Sequence, residues 1–246
     1  MGLTLTTQII IGLIIIFLAG MIQGITSFGF SLLAVPLLGL FLPLQIVVPM
    51  LVIYSLFLNS IILFNVKNHV NLRKIAILVI AGIIGTPLGT YLLKALDENI
   101  LKVSVGIIVT LSAVAFLRGF KIHVKNEKLS FIPVGFISGL LNGSVSLSGP
   151  PIILFLTNQG VEKQTFRANL TSYFWVLNLI TIPTYIVSDL ITKDVITYTS
   201  YLFPALIIGV LSGIKIGNKV DEGLFKKMTL VLIVFMGVLS IISGIK

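Results

Sequence analysis

Twice along this chain a long apolar stretch is interrupted by glycines and hydroxyl residues: Gly20-Met-Ile-Gln-Gly-Ile-Thr-Ser-Phe-Gly29, and Gly139-Leu-Leu-Asn-Gly-Ser-Val-Ser-Leu-Ser-Gly-Pro-Pro151. In hydrocarbon an interrupted helix survives only where protein or a water-lined cavity satisfies the freed backbone groups. A break that occurs twice therefore implies paired half-helices enclosing a polar site, the arrangement by which many transporters hold their cargo.

The surroundings of the breaks are those of a membrane protein. Of 246 residues, 57% are hydrophobic and 10% charged, mean hydropathy is +1.13, and apolar runs repeatedly reach bilayer length. All 17 basic and 8 acidic residues fall in short connections, at segment ends or at the C-terminus. The net charge of +9 then reads as membrane topology, and no nucleic-acid partner is expected. With no cysteine, disulfides, thiolate chemistry and Cys-based metal sites are excluded. His69 and His123 lie in polar loops without carboxylate or histidine neighbours, so no metal and no cofactor is expected. The intramembrane His, Glu, Asp or Cys apparatus of a membrane enzyme is missing, and no enzymatic activity is expected. The first apolar run extends too far for a simple signal peptide and is expected to be retained as a membrane segment.

Apolar segments run approximately over 9–23, 28–41, 44–65, 75–93, 103–119, 130–143, 147–158, 168–187, 197–214 and 228–244. The first and second, like the sixth and seventh, are short and glycine-broken, so each pair reads as a re-entrant-like hairpin. Eight to ten membrane segments result. The two halves also resemble each other. Gly20, Gln23, Gly24, Gln45, Tyr54 and Asn59 correspond to Gly139, Asn142, Gly143, Gln164, Tyr173 and Asn178, each 119 positions later. Between those blocks the register drifts, with Gly29 lying 120 before Gly149 and Gly39 lying 121 before Gly160. The preserved order implies an internal duplication, residues 1–120 and 121–246, that together make one transport domain.

Charge sets how the halves face. The connection after the third segment carries Lys67, Arg73 and Lys74, whereas its counterpart carries Asp189, Lys193 and Asp194. The next connection (Lys94, Asp97, Glu98, Lys102) is neutral, and its counterpart, with Lys215, Lys219, Lys226 and Lys227 against Asp221 and Glu222, is basic. Equivalent loops thus want opposite sides. Placing residues 66–74, 118–130, 161–167 and 215–227 in the cytoplasm puts 13 of the 17 basic residues inside, as the positive-inside rule requires. The expected fold is an all-α polytopic membrane protein of two inverted repeats, located in the cell membrane with both termini extracytoplasmic.

Within the breaks, Thr26, Ser27, Ser144, Ser146 and Ser148 supply hydroxyls beside freed N–H groups, including those near Gly29 and Gly149. Helix N-termini add partial positive charge, so the breaks form a neutral cradle suited to an anion. No intramembrane carboxylate is available to hold a cation or relay protons by the usual route. The repeat-paired Gln23 and Asn142, Asn59 and Asn178, and Tyr54 and Tyr173 need partners, because an unpaired amide in hydrocarbon costs roughly 2–7 kcal/mol. Pore lining and inter-helix bonding both satisfy that need. Arg167, which opens the eighth segment, can anchor the chain in the cytoplasm or offer an anion a fixed positive charge. Glycines four apart, Gly20/Gly24, Gly85/Gly89, Gly135/Gly139/Gly143 and Gly213/Gly217, permit close helix approach and can also face cargo.

At Gly24 to Gly29 followed by Ser31-Leu-Leu-Ala-Val-Pro36, and again at Gly139 to Pro151, the chain resembles the TauE/SafE sulfite exporter family of small membrane permeases. The resemblance covers nearly the whole chain. Thr26-Ser-Phe-Gly-Phe30 and Ser146-Leu-Ser148 carry fewer glycines than the family's usual runs, which leaves the anion open. The resemblance implies export of sulfite, sulfoacetate or another sulfur-containing anion. The reading that results is secondary transport of a small anion by alternating access within the lipid bilayer, with a coupling proton or cation and the oligomeric state both open. The anion-binding residues would be Gln23, Thr26, Ser27, Gly29, Asn59, Asn142, Ser144, Ser146, Ser148, Gly149 and Asn178. A passive anion channel and a non-transporting accessory membrane protein are the alternatives.

Overall fold

The computed structural model describes residues 4–26, 28–120, 127–157, 163–217 and 222–245. Among these residues the chain forms ten α-helices and no strand: α1 (Leu5–Thr26), α2 (Phe30–Leu38), α3 (Leu44–Val66), α4 (Leu72–Ala95), α5 (Glu98–Leu117), α6 (Glu127–Val145), α7 (Gly149–Thr157), α8 (Lys163–Val187), α9 (Lys193–Gly217) and α10 (Glu222–Ile245). Each overlaps one segment expected from the sequence. Six of them, α1, α3, α4, α5, α8 and α9, are long and apolar enough to cross a bilayer, while α6 and α10 contain the shorter apolar stretches Ser130–Val145 and Leu230–Ile245. At nine residues each, α2 and α7 rise only about 14 Å, less than half the hydrocarbon thickness. The chain is a multi-pass membrane protein. Its outer surface agrees, because Ile80, Ile84, Leu111, Phe235 and other large apolar side chains are exposed on the helices, where lipid rather than water suits them.

Helices pack in a pattern that maps onto itself when each helix is exchanged with the one five later. Thus α1 packs on α9 and α4 on α6, while α3 packs on α8 and α5 on α10. Glycines set the closest contacts. A Cβ on Gly24 would meet Val210 O at 2.5 Å and Ile214 N at 2.9 Å, and one on Gly139 would collide with the backbone of Gly82. On the partner helices, Gly85 and Gly89 face the backbone of Phe136 and Leu140, Gly213 faces Met21, and Gly106 faces Gly237. The question the sequence left open at Gly85, Gly89 and Gly213 is thereby answered in favour of helix packing, since without a side chain the backbones approach closely enough to gain dispersion contact in hydrocarbon.

The same contacts give direction. Along α1, Gly12, Gly20 and Gly24 meet Leu202, Leu206 and Val210 in order, so α1 and α9 are parallel; along α4, Gly82 and Gly89 meet Gly139 and Ser144, so α4 and α6 are parallel. By contrast Gly106 meets Gly237 while Gly244 meets Asn99, and Trp175 Nε1 donates to Ser60 Oγ at 3.0 Å while Asn71 N donates to Asn169 Oδ1 at 2.8 Å. Hence α5 runs antiparallel to α10, and α3 to α8. The connections gather accordingly. Lys94 Nζ donates to Ser188 O at 2.9 Å and Tyr198 OH bonds Gln8 at 2.6 Å at one end of the bundle, and the Asn71–Asn169 bond lies at the other.

Candidate functional site

Both breaks exist as such in the fold. After α6, Ser146 adopts φ 58°, with Leu147 N donating to Leu141 O at 3.1 Å and Ser146 N to Asn142 O at 3.1 Å. The Ser146 bond is the single backbone bond that closes a helix on a left-handed residue, with serine where glycine is usual. After α1, Gly29 takes φ 99° as the residue before α2, a conformation disfavoured for residues with a Cβ. The Thr26 hydroxyl lies 2.9 Å from Ile22 O and 2.6 Å from Phe28 O, so its single proton is directed at main-chain carbonyls on either side of the break. Gln23 reaches forward to accept the Phe30 N–H through Oε1 at 3.2 Å, capping α2 from the preceding helix.

The two breaks meet. Ser31 and Ser146 hydroxyls lie 3.2 Å apart, and a cavity of about 40 Å³ opens beside them. Its wall is Gln23 and the Phe28–Leu32 stretch from the first break, Asn142, the Ser146–Pro150 stretch and Ile153 from the second, and Ser55 and Phe174 from α3 and α8. That volume holds about three waters or one small ion. Ser55 is the twelfth residue of the 23 in α3 and Phe174 the twelfth of the 25 in α8, so the cavity lies at half height of two spanning helices. No lining residue is charged.

Hydrogen-bond direction tells what the cavity offers. Asn59 Nδ2 donates to Ser55 Oγ at 3.1 Å, so the serine hydroxyl at the wall is held by the amide behind it. Ser148 lines the wall while its carbonyl accepts from Ser138 Oγ at 2.6 Å. Amides of the first helical turn have no intrahelical acceptor; with Phe30 N held by Gln23, those of Ser31 and Leu32 open α2 toward the cavity they line. At α7 the supply is smaller, because Pro150 and Pro151 carry no N–H. The cavity is thus donor-rich, neutral and asymmetric, contacts suited to holding an anion without a counter-charge.

Of the residues singled out from sequence, Gln23, Gly29, Asn142, Ser146, Ser148 and Gly149 line the cavity. Thr26 and Ser144 are turned to carbonyls, Ser144 Oγ donating to Leu140 O at 2.8 Å. Asn178 Oδ1 accepts from Asn142 Nδ2 at 3.2 Å, with Thr181 Oγ1 also 2.8 Å from that amide nitrogen, and Asn59 stands behind Ser55; these two amides support the wall. Ser27 lies outside the described residues. Tyr54 donates to Thr199 O at 2.7 Å and Tyr173 to Gly135 O at 3.3 Å, both bonds between helices. Sequence reasoning missed Ser31, Ser55 and Phe174. The last two carried a signal, since they are 119 positions apart like Tyr54 and Tyr173 and one turn before the paired asparagines.

Comparison with protein families settles kinship: the profile of the family described as sulfite exporter TauE/SafE matches residues 12–240. The chain belongs to the TauE/SafE family. The match spans both breaks, α2 to α9 in full and most of α1 and α10, consistent with a permease rather than an enzyme. Comparisons with curated proteins and with solved structures found no match. This TauE/SafE member combines a multi-helix membrane fold with a polar mid-height cavity, an architecture consistent with anion transport.

Proposed function

We propose that this protein is a secondary transporter that carries a small anion, of the sulfite or organosulfonate class, by alternating access between two inverted repeats, residues 1–120 and 121–246. The observation that carries the reading is the convergence of both helix breaks on one donor-lined cavity at half height of α3 and α8. Support for inversion comes from the antiparallel pairing of repeat mates, α3 with α8 and α5 with α10. With the basic loops cytoplasmic, the expected orientation puts residues 66–74 and 161–167 inside and Lys94, Ser188 and both termini outside, in keeping with the Asn71–Asn169 and Lys94–Ser188 bonds and with the positive-inside rule.

In this reading Ser31, Ser55, Ser146 and Ser148 donate to the anion with the first-turn amides, and Gln23, Asn142, Asn59 and Asn178 hold the donors in place. Gly29 and Gly149 keep the backbone close to the anion, while Thr26, Ser27 and Ser144 complete the two breaks. A hydrogen bond to a charged group contributes roughly 1.5–3 kcal/mol, so Ser55→Ala or Ser148→Ala weakens apparent anion affinity by about tenfold or more. The test is uptake and counterflow of labelled sulfite in proteoliposomes, with sulfate, sulfoacetate and taurine as competitors and the pH gradient varied separately. Saturable counterflow that the two substitutions weaken supports a carrier. Ionic currents without counterflow indicate a channel, and folded protein without flux of any of these solutes indicates an accessory role.

A further inference from the structure

The repeat supplies an internal control for α8. At the 119-residue spacing, Arg167, Thr171 and Ser172 correspond to Val48, Val52 and Ile53 of α3, and Val48 and Val52 are fully buried in the core. The fold therefore packs this part of its central helix with valines in one half, yet places a guanidinium and two hydroxyls in the other. Thr86, Thr90, Ser144 and Thr181 all return their hydroxyls to the carbonyl four residues earlier, whereas among the described residues the buried Thr171 Oγ1 and Ser172 Oγ have no partner, nor does the buried Nε of Arg167. Among the described residues Lys102 pairs with Glu98, and Arg167 has no carboxylate partner.

Arg167 and Thr171 are one turn apart, on one helical face, and that face continues through Phe174 at the cavity wall to Asn178. Seven residues of helix separate Arg167 from Phe174, about 10 Å along the axis. A planar guanidinium with an unsatisfied Nε–H, one helical turn from an unsatisfied hydroxyl, matches the oxygens of a small oxyanion. We propose that Arg167 and Thr171 form a capture site for a small oxyanion at the basic end of the molecule, from which the ion passes along α8 into the central cavity. The inference rests on the anion-transport reading above. Because the equivalent stretch of α3 is Val48 and Val52, capture occurs from one side only, and with the basic loops cytoplasmic that side is the interior, as export requires.

Trp175, the single tryptophan of the chain, lies one turn beyond Thr171 and reports on the site. The experiment combines its fluorescence during titration of the full-length protein in detergent with sodium sulfite, at fixed ionic strength, with the KM and Vmax of sulfite uptake in proteoliposomes. Arg167→Gln and Thr171→Val are each expected to raise both the half-saturating sulfite concentration and the KM by about tenfold, the scale of one lost hydrogen bond to an anion, leaving Vmax largely unchanged; Arg167→Lys restores part of the loss. Should Arg167→Gln fail to fold, Thr171→Val carries the test, since valine is already accommodated at position 52. Wild-type values in both variants, with uptake still weakened by Ser55→Ala, would overturn the capture site and leave the transport reading standing. Sulfite binding that depends on Arg167, without flux of any tested anion, would support the capture site and overturn transport. Neither binding nor flux in folded protein would overturn both.

Discussion

Ser146 occupies the left-handed region at φ 58°, where a residue with a Cβ costs roughly 1–2 kcal/mol, and its hydroxyl meets Ser31 across the two breaks. Backbone and side chain therefore pull in opposite directions when it is changed. Ser146→Gly and Ser146→Ala both remove the hydroxyl, but only glycine relieves the backbone, so the glycine variant is expected to be more stable by about 1 kcal/mol. Denaturant unfolding in detergent micelles measures this, and an alanine variant as stable as the glycine one would show that the left-handed turn carries no strain. The amides follow a different logic. Asn142 occupies Asn178 and Thr181 while Gln23, 119 positions earlier, caps α2; the two amides carry out different tasks because glutamine reaches one methylene farther.

At the scale of elements, this bundle is held by glycine faces, and the positions are not interchangeable. A Cβ at Gly139 meets the backbone of Gly82, which cannot move without displacing α4, whereas one at Gly12 meets only the Leu202 side chain, at 3.0 Å. Gly139→Ala is expected to cost roughly 1–3 kcal/mol or more from overpacking and Gly12→Ala distinctly less, as read by thermal unfolding midpoints in one detergent. Equal midpoints would mean that α4 and α6 can separate freely. The short helices α2 and α7 behave differently, since neither can span, and their value lies in bringing first-turn amides and Ser31 or Ser148 to the middle of the molecule.

For the molecule as a whole, the absence of cysteine makes topology directly measurable. Ser188→Cys in intact cells is expected to react with a membrane-impermeant maleimide, and Asn68→Cys only after permeabilisation; the reverse result would invert the proposed orientation and the side from which Arg167 captures its anion. The sequence by itself determined that the chain is a bundle of membrane helices and that it breaks at two places, because hydropathy and helix-breaking glycines are local properties written in residue order; the 119-residue spacing added the expectation of an internal duplication. Loop charge likewise implied which ends lie together. Only the tertiary structure decided which polar residues share the cavity. Thr26 and Ser144 look like Ser146 and Ser148 in sequence, yet their hydroxyls fold back on helical carbonyls. Ser55 faces the cavity because Asn59 fixes it there, and Phe174 sits opposite. The direction of a hydroxyl depends on which acceptor the packing leaves nearest, and that is settled by how ten helices come together rather than by any one of them.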